Sequence, residues 1–140
     1  AALLAMWLGR YFDRRDWEQL GRDAVGQTAD QLLSSPGGFG SIWQAIELML
    51  SPRREVVIVG RDASRAPLER ELARHFLPST AIVPSADGEG QPVLEGRDTG
   101  NAATAYVCEN MTCQLPTTTA GGLAAQLRSA EPRAEEVLAP

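Results

Sequence analysis

The spacing of apolar positions changes partway along the chain. Through residues 1–50 they recur at three and four. Leu4, Trp7, Leu8 and Tyr11 form the first set, and Trp17, Leu20, Ala24, Thr28 and Leu32 the second. Phe39, Ile42, Trp43, Ile46, Met49 and Leu50 form a third. This is a helical period, and each set marks one buried stripe. Helices are therefore predicted over residues 1–12, 16–33 and 39–50. Asp13 or Asp16 is placed to cap the second, and Ser34-Ser35-Pro36-Gly37-Gly38 turns the chain into the third. Short links between amphipathic helices imply antiparallel packing.

From Arg54 the pattern becomes that of a sheet. Glu55-Val56-Val57-Ile58-Val59 is a run of β-branched residues after Glu55, closed by Gly60, which reads as a strand buried on both faces. Asp62 or Ser64 is placed to cap a helix running to about Phe76, with Leu68, Leu72 and Phe76 facing the sheet. Residues 80–83 and 104–108 read as two further strands. Thr118 or Thr119 opens a last helix reaching about Arg128. Residues 84–103, rich in Gly, Asp and Pro, form a long loop with a helical turn near residues 92–94, and residues 130–140 read as a tail. A crossover of that length implies parallel strands with a right-handed connection.

The reading is a mixed α and α/β chain: three antiparallel helices, then a small three-stranded parallel β-sheet with flanking helices. Residues 1–52, 53–129 and 130–140 are its expected parts. Neither main part closes on its own. Three Trp-bearing stripes offer more apolar surface than three helices readily cover. A parallel sheet needs both faces shielded, yet only two helices lie within its own segment. An exposed apolar helix surface is therefore expected, and with it possible self-association.

Composition narrows the chemistry. All 13 basic residues of the 140 are Arg, and His75 is the only His. A phosphate loop built on Lys, a Schiff-base Lys and a two- or three-His metal centre are excluded within this chain. The net charge of −5, with Arg scattered along the chain, disfavours nucleic acid as a partner. No apolar run approaches the roughly 18 residues of a membrane span, so no membrane partner is expected. Residues 1–8 carry no basic flank, so no secretory signal is expected. Their mid-helix character suggests the end of something longer. Two Cys are too few for a secreted disulfide scaffold, so a cytoplasmic location is expected.

Thr104-Ala105-Tyr106-Val107-Cys108, a short variable stretch, then Cys113 and Pro116 before a last helix resembles a signature of the thioredoxin domain-containing, YyaL-like or spermatogenesis-associated proteins. Leu8-Gly9-Arg10-Tyr11-Phe12-Asp13 and the passage from Pro52 through Glu55 to Gly60 resemble two further segments of that family, in the same order. Ala103 stands where the family pattern commonly has Pro. The resemblance implies that residues 1–52 are the last helices of an (α/α)6 barrel similar to N-acylglucosamine 2-epimerases and six-hairpin glycosidases. It also implies that the upstream barrel and a thioredoxin-like domain are the partners of this segment, with no complete active site here.

Candidate sites are few. Cys108 and Cys113 flank Glu109-Asn110-Met111-Thr112. They could close a disulfide around the turn, act as a redox pair, or pack as a small hydrophobe beside a free thiol. Their spacing is not that of a Cys-x-x-Cys motif. Trp43 and Glu47 lie four apart on one helix face, where an aromatic platform beside a carboxylate would suit a sugar; the alternative is a core aromatic bordered by a solvated Glu. Gly60-Arg61-Asp62 lacks the further glycines of a dinucleotide fingerprint, so a tight turn with Asp62 capping is expected and no cofactor. His75 reads as a capping or surface residue near a helix end. Two thiols with a distant His make no metal site.

Overall fold

The computed structural model describes residues 1–97 and 102–130. Helices α1 (Ala2–Tyr11), α2 (Arg15–Gly26), α3 (Ala29–Ser34) and α4 (Gly40–Leu50) come first. Then follow β1 (Arg54–Val59), α5 (Asp62–Leu72), β2 (Thr80–Ser85), β3 (Thr104–Glu109), β4 (Thr112–Cys113) and α6 (Ala120–Ala130). Short 3-10 turns occupy Pro36–Gly38 and Pro92–Leu94. Residues 131–140, most of the expected tail, lie outside the described residues, as do residues 98–101 of the loop.

Four helices replace the three predicted. The second breaks after Gly26, where the Thr28 hydroxyl donates to the Val25 carbonyl at 2.8 Å. That side-chain bond competes with continuation of the helix. Neither predicted acid caps α2: the carboxylate of Asp16 is held by Arg14 at 2.6 and 2.9 Å. Asp13 instead sits at φ +50 and accepts from Arg53. Asp62 does not cap α5 either, because it pairs with Arg65 at 2.7 Å. Thr119 does cap α6, its hydroxyl accepting the Gly122 N–H at 3.1 Å.

The buried faces of α1 and α2 are not the predicted stripes. Ala2, Met6 and Gly9 meet Glu18, Gly21 and Val25, with Ala45 and Leu48 of α4 joining the cluster. A Cβ at Gly21 would lie 2.8 Å from the Ala2 carbonyl oxygen, and one at Gly9 2.8 Å from the Glu18 nitrogen. Close approach through glycine packs the helices on these faces and leaves Leu4 and Leu20 on the outward ones. Leu4, Leu20 and Leu50 are 63%, 62% and 80% exposed, and Leu33 and Trp43 are exposed as well. Trp7 and Trp17 are half-buried, so none of the three Trp is fully enclosed.

The sheet is four-stranded and mixed, in the order β2-β1-β3-β4. Strand β1 runs parallel to β2 but antiparallel to β3, and β3 is antiparallel to β4. The three-stranded parallel sheet is thus corrected. Val59 is registered with Ser85 on one side and Thr104 on the other. The loop therefore leaves and re-enters at the same end of the sheet and spans only one strand, about 10 Å. Its described residues hold a 3-10 turn and no crossover helix, so nothing carries the chain back to the opposite end. Two-residue β4 is too short to leave a period in the sequence.

Both sheet faces are covered, by different means. Val56 and Ile58 pack with Leu68 and Leu72 of α5 and with Leu123 and Leu127 of α6. Phe76, expected on that face, lies beyond the end of α5 and is 88% exposed. The opposite face of β1, Val57 and Val59, packs with Val83, Leu94, Val93, Tyr106 and Tyr11. The long loop and the end of α1 supply the shield for which no helix of the segment was left. Gly60, at φ +142, lets the backbone of Ala103 come close: a Cβ there would stand 2.8 Å from its Cα.

Two arginines tie the helices to the sheet. Buried Arg10 donates to the carbonyls of Leu48 and Ser79, the latter at 3.0 Å. Burial lowers its pKa from the ordinary arginine value, while Glu18 opposes the shift. Arg53 reaches Glu18 at 3.1 Å, Glu55 at 3.3 Å, Asp13 at 3.2 Å and the Arg10 carbonyl at 3.0 Å.

Candidate functional site

Strands β3 and β4 form a hairpin closed by Asn110 and Met111, both at positive φ (+49 and +68). Two consecutive left-handed residues suit the right-handed twist of a two-residue hairpin. Asn tolerates that region and Met does so at a cost. Asn110 is fixed from outside the hairpin: its N–H donates to the Arg53 carbonyl at 2.8 Å, and its Oδ1 accepts the Arg53 N–H at 3.1 Å. The turn is thereby fastened to the start of β1.

This geometry places Cys108 directly opposite Cys113, with Cα atoms 3.9 Å apart, and the two sulfurs are bonded at 2.07 Å. Of the alternatives left open by the spacing, the disulfide around the turn is the one formed. Its two halves differ. Cys108 is 3% exposed within β3, whereas Cys113 on the short outer strand is exposed.

Arg97 is the residue that spacing could not supply. Its Nη2 lies 3.4 Å from the Cys108 sulfur, 4.0 Å from the Cys113 sulfur and 3.7 Å from Glu55 Oε2. Its guanidinium carbon stands 5.4 Å from the centre of the Tyr106 ring, within cation–π range. Glu55 is the register partner of Cys108, and Tyr106 shares its strand face, so Arg97 caps one patch of sheet. Arg97 Nη1 is buried with no hydrogen-bond partner among the described residues. Burial lowers the Arg97 pKa, with the Glu55 charge and then Tyr106 opposing. Arg97, Glu55, Arg53, Arg10, Asp13 and Met111 border a cleft of about 190 Å³ beside the hairpin. In the sequence Arg97 is one more Arg in an aperiodic loop. Only the folding of that loop over the sheet brings it to the sulfurs.

Trp43 and Glu47 lie one turn apart on α4. Glu47 accepts from the hydroxyls of Ser51, at 2.9 Å, and Ser79. It borders a cleft of about 300 Å³ with Arg54, Phe76 and Leu77. Trp43 is absent from that lining, and its indole N–H donates to the Pro36 carbonyl at 3.1 Å. His75 Nε2 lies 3.3 Å from Glu71 Oε1, just past the end of α5. Among the described residues, no group of three or more His, Cys, Asp or Glu is placed to hold a metal ion. No helix among them is long and apolar enough to cross a membrane.

No protein family, curated protein or solved structure matches the chain.

Proposed function

We propose that this chain is a domain-packing segment: the closing helices of an α/α barrel followed by a small α/β unit, belonging to a thioredoxin domain-containing protein. The observation that carries this reading is the outward set of large apolar side chains on the helices, Leu4, Leu20, Leu33, Trp43 and Leu50. Apolar side chains left in water on several helices are the groups that a further layer of structure would cover. Helix interiors that use Ala and Gly leave these five side chains for a neighbouring helix, and the family resemblance makes that neighbour the upstream barrel. No complete active site belongs to the segment in this reading, and its location is cytoplasmic.

Sedimentation of the isolated chain over a range of concentrations, with binding of a hydrophobic dye, tests this. Self-association and dye binding are expected, both reduced by Leu4→Glu combined with Leu50→Glu. A monomer that binds no dye would overturn it.

A further inference from the structure

We propose that the Cys108–Cys113 disulfide is a thiol-exchange site, entered at Cys113 by a dithiol reductant, with Arg97 holding the Cys108 thiolate that departs. Three features of the hairpin converge on this assignment. Attack on a disulfide needs access to one sulfur along the S–S axis, and only Cys113 lies at the surface. The sulfur that leaves carries an electron pair, and the lower the pKa of its thiol the faster it leaves. Arg97 Nη2 already lies 3.4 Å from that sulfur, in a buried setting where a charge-assisted bond is strong. Nη1 has no hydrogen-bond partner among the described residues.

The step balances. A thiolate of the reductant bonds to Cys113 Sγ, the S–S bond breaks, and its electron pair stays on Cys108 Sγ beside the guanidinium. The second thiol of the reductant, deprotonated, then attacks the reductant sulfur of the mixed disulfide. Cys113 leaves as a thiolate and takes a proton from water. Two electrons pass from the dithiol to the protein, leaving an oxidised reductant, the Cys113 thiol and the Cys108 thiolate held by Arg97.

The oxidised state is the one in which Arg97 is poorly matched. It faces a neutral sulfur, and the carboxylate nearest it among the described residues, Glu55 at 3.7 Å, is also engaged by Arg53 at 3.3 Å. Reduction creates the missing anion within reach. Met111, 76% exposed at the hairpin tip, offers an apolar contact for an incoming partner beside Cys113.

The first measurement is the second-order rate of reduction by dithiothreitol near neutral pH, in the wild type, Arg97→Gln and Arg97→Lys. About a tenfold loss is expected for Arg97→Gln, the scale of one charge-assisted hydrogen bond in the departing state, with partial recovery in Arg97→Lys. A rate within twofold of wild type in Arg97→Gln would overturn the role of Arg97. The second measurement keeps Arg97 and uses a monothiol, glutathione, with acid quenching and mass mapping of the adduct. Cys113 is expected to carry it, and an adduct on Cys108 would overturn the direction of attack. If Arg97→Gln fails to fold, the thiolate absorbance of Cys108 in Cys113→Ser replaces the first measurement. Its titration midpoint is expected below that of the same chain in urea, and a midpoint at or above the urea value would overturn the proposal.

Discussion

The two halves of this chain bury their residues in opposite ways. In the sheet half the side chains of the central strand go inside: Val56, Val57, Ile58 and Val59 are each no more than 1% exposed and both faces of β1 are covered, while Phe76, Met111 and Leu115 at the margins stay exposed. In the helical half the interior is built on Ala2, Gly9, Gly21 and Ala45 around Met6 and Leu48, while Leu4, Leu20, Leu33 and Leu50 stand in solvent. The sheet half thus gains most of its stability from area removed from water. The helical half gains more from close backbone approach and retains much apolar surface. A region organised in that second way is suited to receiving another layer.

Substitutions sharpen this contrast, and the largest effect is expected in β1. Ile58→Ala should cost about 3 kcal/mol, as expected of a large-to-small change in a closed core. Urea unfolding reads it directly. Arg53→Met is next, at about 2 kcal/mol, because Glu18 and Glu55 lose their shared cation at the junction of the halves. Its cost should be larger than that of Arg14→Met, whose pairing with Asp16 is exposed.

Gly21→Ala tests the helical interior. The added methyl meets the Ala2 carbonyl, and a loss of about 1.5 kcal/mol is expected despite the better helix propensity of Ala. Leu50→Ser should change stability by less than about 0.5 kcal/mol, since that side chain has little burial to lose. A cost for Leu50→Ser equal to that of Ile58→Ala would dissolve the contrast.

The smallest effect is one of pH. Asp87 accepts the Glu89 N–H at 3.1 Å and bonds with the Ser85 hydroxyl at 3.1 Å, which hold its pKa below the ordinary aspartate value. A depressed carboxylate contributes stability that is present above its unfolded pKa and is lost as pH falls through the folded one. Asp87→Asn should therefore flatten the acid limb of the stability curve slightly and leave neutral stability nearly unchanged. Acid titration of the two chains side by side measures it.

Much of the sheet half was legible in the sequence because its signals are local. Four consecutive β-branched residues closed by Gly60 leave little but a buried strand, and β1 lies there. The position of the Cys pair at a strand end was equally readable, and the turn between them makes the disulfide geometrically natural. The direction of β3 was not readable. It depends on which end of the sheet the loop returns to, and neither the length nor the composition of residues 84–103 encodes that. In the helices, weighting by side-chain size selected Leu4 and Leu20 for the core, because apolar periodicity gives no credit to glycine. Gly9 and Gly21 at helical spacing from Met6 and Val25 were the overlooked signal. Arg97 carried no local signal at all. Its role comes from a loop laid over the face that Glu55, Tyr106 and Cys108 share.

The contrast between the halves is tested most directly by native-state hydrogen exchange resolved along the chain. Amides of β1 should exchange only through global unfolding, and those of α3 and α4 faster by about a hundredfold or more, through local opening of a thinly covered helical layer. Equal protection across β1 and α4 would contradict the account, because it would mean that the helical half closes on itself as completely as the sheet.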